Sequence, residues 1–300
     1  MYNRAFNVAV VILWLTTMTW LVSQKVLPPL LVGEPPHYKS VLEAKATEPS
    51  VGWKLVCEGR PVGSAWSCLV RHDNDVREIR SRVCFEELPL DKITPGWLHT
   101  CLHLLEETST SVSMDCQSTL TLDPLGNLIL MKSSIRFDPL STTIEMIGTC
   151  EGSHLNLAFR SGELAFERKI LINTDAMLGD AFSPQTQLPG LHLGQTWTVE
   201  ICSPLQSPSS PLDILQAKVE RMETIMWNEQ PVSTWLVVYR DDPGSNLATE
   251  REPRGRLWVR GDGMVLKQQV VFFNSTMLFI RLSEDEAAAM EETWNAESLE

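Results

Sequence analysis

The sequence predicts a mainly β protein. An N-terminal transmembrane helix leads into a curved antiparallel sheet or sheets, as a half-barrel or as two β units, and a C-terminal helix ends the chain. Three observations carry this. Twenty uncharged residues lie between Arg4 and Lys25. Beyond residue 50, short runs of alternating apolar and polar residues recur with Gly, Asn, Asp and Pro between them, the pattern of antiparallel strands and turns. The last eighteen residues, from Ser283, read as an acidic helix.

The elements follow in order. Residues 1–25 read as a membrane anchor with a short cytoplasmic N-terminus, because a helix of about 20 residues spans roughly 30 Å of hydrocarbon. Two other readings stay open: a cleaved secretory signal, although no small-x-small site follows, and a helix buried in a globular core. Residues 26–50 form a Pro-rich spacer, since prolines extend the chain and deny it helical hydrogen bonds. Residues 51–172 make a first β unit, 173–193 a connecting loop, and 194–282 a second β unit. One continuous sheet and two separate sheets are both compatible with the pattern. Residues 283–300 form the C-terminal helix and tail, opened by a Ser283-x-x-Glu286 capping box. Ala287, Met290 and Trp294 fall at helical spacing, so a stripe docks on the sheet or receives a partner.

Composition narrows the function classes. With 25 basic and 38 acidic residues the net charge is −13, which argues against a phosphate-binding surface and hence against nucleic acid as a partner. The seven cysteines (57, 68, 84, 101, 116, 150 and 202) form no C-x-x-C pair. Strand alternation places Cys57, Cys68 and Cys116 in the core and Cys84 and Cys202 on polar faces; disulfides remain an open alternative.

No G-x-S-x-G, H-E-x-x-H, P-loop or G-x-G-x-x-G motif occurs. His99, Cys101 and His103 share one strand face and carry metal-ligating atoms, but at about 7 Å spacing one strand does not close a site. Ordinary packed histidines are the simpler reading. Asn274-Ser275-Thr276 fits both a glycosylation acceptor and a hairpin turn. Paired acids at Glu86-Glu87 and Asp241-Asp242 read as solvated strand ends. Arg260-Gly261-Asp262 lies between "LWV" and "MVL", and Asp262-Gly263 suits a two-residue type I′ hairpin, so turn chemistry accounts for the tripeptide without an adhesion role. Ten tryptophans against three tyrosines fill the core or, in a curved sheet with a helix across its mouth, line an apolar cavity. No catalytic, cofactor-binding or metal residue is assigned, and no cofactor.

The order "LGQTWTVEICSP", "AKVERMETIMWNEQPVSTWLVVYR", "GRLWVRGDGMVLKQQV" resembles bacterial envelope domains similar to the lipoprotein carriers LolA and LolB. The likeness spans Gly194–Leu282, and Trp53–Val70 is similar to their opening hairpin. It implies an incomplete barrel around an apolar cavity. No catalytic residues come with it. The expectation is a non-enzymatic, single-pass membrane-anchored protein of the bacterial envelope. Its extracytoplasmic β domain would bind a lipid, a lipoprotein or a protein partner. The alternative is an envelope hydrolase whose site is not legible in the sequence.

Overall fold

Every second residue from Val51 to Cys57 and from Met114 to Leu122 is buried, and this period of two extends the chain into strands. Glu58 and Gly59, and again Asn228 and Glu229, take positive φ, the requirement of tight two-residue hairpins. In the computed structural model the strands are β1 (Val51–Cys57), β2 (Arg60–Arg71), β3 (Arg77–Leu88), β4 (Val112–Leu122), β5 (Leu128–Asp138), β6 (Thr142–Glu151), β7 (His154–Ser161) and β8 (Leu164–Leu171). They continue as β9 (Met177–Asp180), β10 (Thr196–Cys202), β11 (Leu212–Trp227), β12 (Gln230–Asp241), β13 (Gly255–Arg260), β14 (Val265–Phe272) and β15 (Ser275–Arg281). Among the described residues two helices, α1 (Arg4–Leu21) and α2 (Glu284–Glu297), flank them. The structure describes residues 4–22, 36, 41, 50–72, 74–88, 112–138, 142–172, 177–180, 183–202, 212–241, 252–272 and 275–297.

All 15 strands join one sheet in the order β8-β7-β6-β5-β4-β3-β2-β1-β15-β14-β13-β12-β11-β10-β9. Two meanders therefore run outward from a central seam, where β1 pairs antiparallel with β15. Only β9 departs from the antiparallel pattern, lying parallel on β10. Of the two arrangements the sequence leaves open, one continuous sheet forms and not two separate β units, because the seam joins the two runs.

The sheet is rolled. β6 and β10 stand third and fourteenth in the order, about 50 Å apart if the sheet were flat. Yet Cys202 Sγ of β10 lies 3.7 Å from Met146 Sδ of β6. One apolar cluster gathers Trp53, Leu55, Phe85, Ile135 and Phe159 from one meander with Trp197, Val219, Val237 and Phe279 from the other. A second joins Ile79, Leu120, Met131, Met146 and Leu157 to Cys202.

The membrane anchor, and with it the single-pass envelope location, is overturned: no helix is long and apolar enough to cross a membrane among the described residues. α1 has 18 residues, about 27 Å of rise against the roughly 30 Å a span needs. It also carries Arg4, Asn7 and three threonines. Two of these, Thr16 and Thr17, donate hydroxyl hydrogen bonds back to the Ile12 and Leu13 carbonyls.

Two cysteine placements also change. Cys68 lies half-buried on the outer face beside Trp66, because Ala65, Ser67 and Leu69 take the inner positions of β2. Cys202 is fully buried rather than on a polar face, since rolling brings the end of β10 against β6. Cys57 and Cys116 are buried as expected.

α2 begins with the capping box. The Ser283 amide donates to Glu286 Oε2 at 3.0 Å, and the Glu286 amide to Ser283 Oγ at 3.4 Å. The helix lies on the outer face of β1 and β2, with Ala287 against Gly52. Trp294 sits edge-on to Trp66 at 6.1 Å, and the Arg82 guanidinium is 5.1 Å from its ring. It therefore covers the outside of the roll and not its mouth.

Candidate functional site

Strand register builds a polar belt inside the roll. Ser67 pairs with Ser81, Ser81 with Ser118, and Ser118 with Ser133 across β2, β3, β4 and β5. All four face inward and are 5 % exposed or less. On one side of this row lie Ala65, Val83, Cys116, Ile135 and Ile144, neighbours in register. On the other lie Leu69, Ile79, Leu120 and Met131. The belt thus separates the two apolar clusters.

A connecting segment, residues 183–195, crosses the inner face. Ser183 Oγ is 2.7 Å from Ser81 Oγ, which itself donates to Ser67 Oγ at 3.2 Å. Next, the Gln185 amide donates to Gln268 Oε1 at 3.0 Å. The Thr186 carbonyl accepts from the Val265 amide at 3.1 Å and from Arg281 Nη1 at 3.0 Å. The Leu188 amide donates to the Gly263 carbonyl at 2.7 Å. Beyond it the segment meets β11, where the Gly194 amide donates to the Val219 carbonyl and the Val219 amide to the Gln195 carbonyl. Leu188 and Leu191 join the main apolar cluster. This strap, expected only as a loop breaking the strand rhythm, is part of the interior.

Several buried polar atoms inside the roll have no hydrogen-bond partner: the Ser118, Ser133 and Ser275 hydroxyls, the Thr186 hydroxyl, and the Trp53 and Trp197 indole nitrogens. Each such group costs about 1–3 kcal/mol when dry. Their chemistry is hydrogen bonding without charge.

The Arg-Gly-Asp tripeptide is a closed turn. The Arg260 side chain grips Asp262, with Nη2 to Oδ2 at 2.6 Å and Nε to both oxygens at 3.1 Å. The Met264 amide donates to Asp262 Oδ1 at 3.1 Å. Arg260 holds the Asp262 carboxyl below its ordinary range, against a smaller opposing effect of burial. The expected two-residue type I′ loop is corrected: only Gly263 has positive φ here, at 93°. The Gly263 amide donates to the Arg260 carbonyl, and the Arg260 amide to the Met264 carbonyl. The loop is therefore a three-residue turn with Gly263 in its bulge position. A Cβ at Gly263 would stand 2.7 Å from Pro189 Cα, so the strap requires glycine there.

On the outer face of β11–β13, Trp258, Leu236, Val238 and Ile225 form a third apolar cluster. The Trp258 indole donates to Glu223 Oε2 at 2.9 Å, and Lys267 Nζ lies 4.7 Å from the Trp258 ring. The indole bond is the main reason the Glu223 carboxyl is held below its usual range; burial opposes this and Arg221 assists. A depressed folded-state value means stability that is present above the unfolded carboxylate range and is lost as pH falls through the folded value. Glu223→Gln is expected to lower stability by about 1 kcal/mol at neutral pH. In urea denaturation the difference from wild type should shrink as pH falls below the ordinary glutamate value of about 4.3 and vanish only below the lower folded-state value; a gap independent of pH would refute the assignment.

His99, Cys101 and His103 lie outside the described residues, as do Asp242 and Asn274. The described histidines sit apart from the serine belt. His72 follows β2 and is 3.3 Å from Glu78, His154 opens β7, and His192 lies late in the strap. Among the described residues no group of three His, Cys, Asp or Glu side chains is placed to hold a metal ion.

No family model and no curated protein matches the sequence. Among solved structures, the chain is similar to a beta-barrel-like protein of the domain of unknown function DUF1849 from Brucella abortus. The TM-score is 0.47 and the identity 9 %, over 84 % of this chain and 98 % of that one. It is also similar to a DUF1089 family protein from Pseudomonas aeruginosa, with a TM-score of 0.32 and 16 % identity over 67 % and 87 % of the two chains. By description neither is a LolA or LolB carrier, and likeness at this level carries no argument about function.

Proposed function

We propose that the protein is a non-enzymatic binding module whose guest is an elongated, mainly apolar molecule with uncharged hydrogen-bonding groups, of the lipid class. One observation carries this reading: the orphaned hydroxyl and indole groups inside the roll, set between two apolar clusters. An apolar molecule with a polar group part-way along its length satisfies both features at once. Entry displaces the strap, releasing its hydrogen bonds near Ser81, Gln268, Gly263 and Arg281 and the buried Leu188 and Leu191 side chains. The resemblance to lipoprotein carriers points the same way at the level of ligand class.

The test uses a brominated monoacylglycerol, an uncharged lipid that quenches indoles it touches. Titration into the full chain is expected to quench tryptophan fluorescence saturably at one equivalent, through Trp53 and Trp197. Ser118→Leu combined with Ser133→Leu fills the belt with apolar bulk and should weaken that quenching about tenfold or more. Quenching that is absent, or that rises linearly without saturation in wild type, would refute the reading.

A further inference from the structure

The sheet has two outer strands, and β8 is the one with eight residues and described side chains. Its hairpin with β7 has a two-residue loop, with Ser161 paired to Leu164. In such a hairpin the pair flanking the loop is hydrogen-bonded, and the pattern then alternates. Leu164, Phe166, Arg168 and Ile170 thus direct their main-chain groups at β7. Ala165, Glu167, Lys169 and Leu171 direct theirs at the free edge. Among the described residues no strand pairs with that edge; Leu164 is 64 % and Leu171 72 % exposed, and Glu167 and Lys169 are exposed as well.

We propose that β8 pairs antiparallel with β8 of a second copy of this chain, on a two-fold axis at residue 168. In that register Glu167 faces the second copy's Lys169, and Lys169 faces its Glu167. Two opposite-charge pairs therefore form on the outer face. Phe166 faces Ile170 and Ala165 faces Leu171, so the apolar residues also meet. The residues placed opposite one another across the edge, 165 with 171 and 167 with 169, are those whose main-chain groups point outward. About eight main-chain hydrogen bonds result. Arg168 stands on the axis and is already engaged within its own chain. Phe166 is fixed on the inner face by stacking on Phe159 at 4.7 Å. Shifting the axis to 167 or 169 sets Glu against Glu or Lys against Lys, so charge selects this register. An edge strand left bare is a template for such pairing. The small area makes the dimer reversible.

Sedimentation velocity on the full chain, over a range of micromolar concentrations, tests this. Wild type should show a concentration-dependent monomer–dimer equilibrium. Glu167→Lys leaves two bases and Lys169→Glu two acids in the outer-face pair of each edge. Each alone should weaken self-association about tenfold or more. Mixed together, the two variants should form a heterodimer at wild-type strength, and the double exchange should restore the homodimer. A monomeric wild type overturns the proposal. So does a dimer indifferent to both single reversals, as association through the apolar exposed α1 would be.

Discussion

Trp53→Ala is expected to remove about 3–5 kcal/mol of folding stability, the range for truncating a fully buried aromatic. Trp53 is wholly buried on β1, at the seam of the sheet, opposite Arg281 on one side and Ala65 on the other. The Arg281 guanidinium lies 6.0 Å from its ring. Alanine would leave a cavity bordered by residues of both meanders. Trp53→Phe separates the contributions: it deletes some buried area but also an indole N–H that lacks a partner. Its loss should be less than half that of alanine. Urea denaturation should report a lower midpoint with unchanged slope for both. A loss below about 1 kcal/mol for alanine would mean that this part of the interior is not close-packed.

Gly63→Ala is expected to cost as much, by a different route. β2 carries a bulge opposite Leu55 and Val56, and the extra residue presses Gly63 onto β3. A Cβ there would lie 2.0 Å from the Cys84 carbonyl oxygen. The obstacle is main chain, which cannot rotate aside, so β2 and β3 must part. A loss of about 3 kcal/mol or more follows. Gly59→Ala is the control, because its Cβ meets nothing within 4 Å and only its positive φ of 81° opposes alanine. That change should cost about 1 kcal/mol. Equal losses at the two glycines would show that steric approach of the strands is not the cause.

Features that depend on near neighbours were legible in the sequence. The Ser283–Glu286 cap needs only three residues of spacing, and Trp53, Leu55 and Cys57 face inward as alternation along β1 requires. Features that depend on distant chain were not. Ser67, Ser81, Ser118 and Ser133 have no common spacing. Strand register brings them into one row, and a one-residue slip in any of these pairings would scatter it. Cys202 sits on an apparently polar face until the roll presses it against Met146. Trp66 and Cys68 read as core residues by alternation, because large apolar side chains ordinarily mark the buried face. Here α2 covers the outer surface and serines take part of the inner one. The turn at Gly263 was read from Asp-Gly, which suits two loop types. The two differ in the φ of Asp262, which is not positive here. Pro189, packed against Gly263 from a strap some seventy residues earlier in the chain, requires only that the position be glycine. An apolar N-terminal run likewise fixes helix formation but not span, which depends on length and on where the polar residues fall.

The seam between β1 and β15 has a consequence for how the chain reaches its native state. Trp53 pairs with Arg281, 228 residues away, whereas most other strand pairs join neighbours in the chain through hairpins. Each meander gains contacts over short loops, while the seam must close nearly the whole described chain into one ring, so it is the step with the largest loop entropy. The meanders should form first and the seam last. During synthesis β1 can lie on β2 long before Arg281 leaves the ribosome, and its other edge then waits unpaired until β15 has been made.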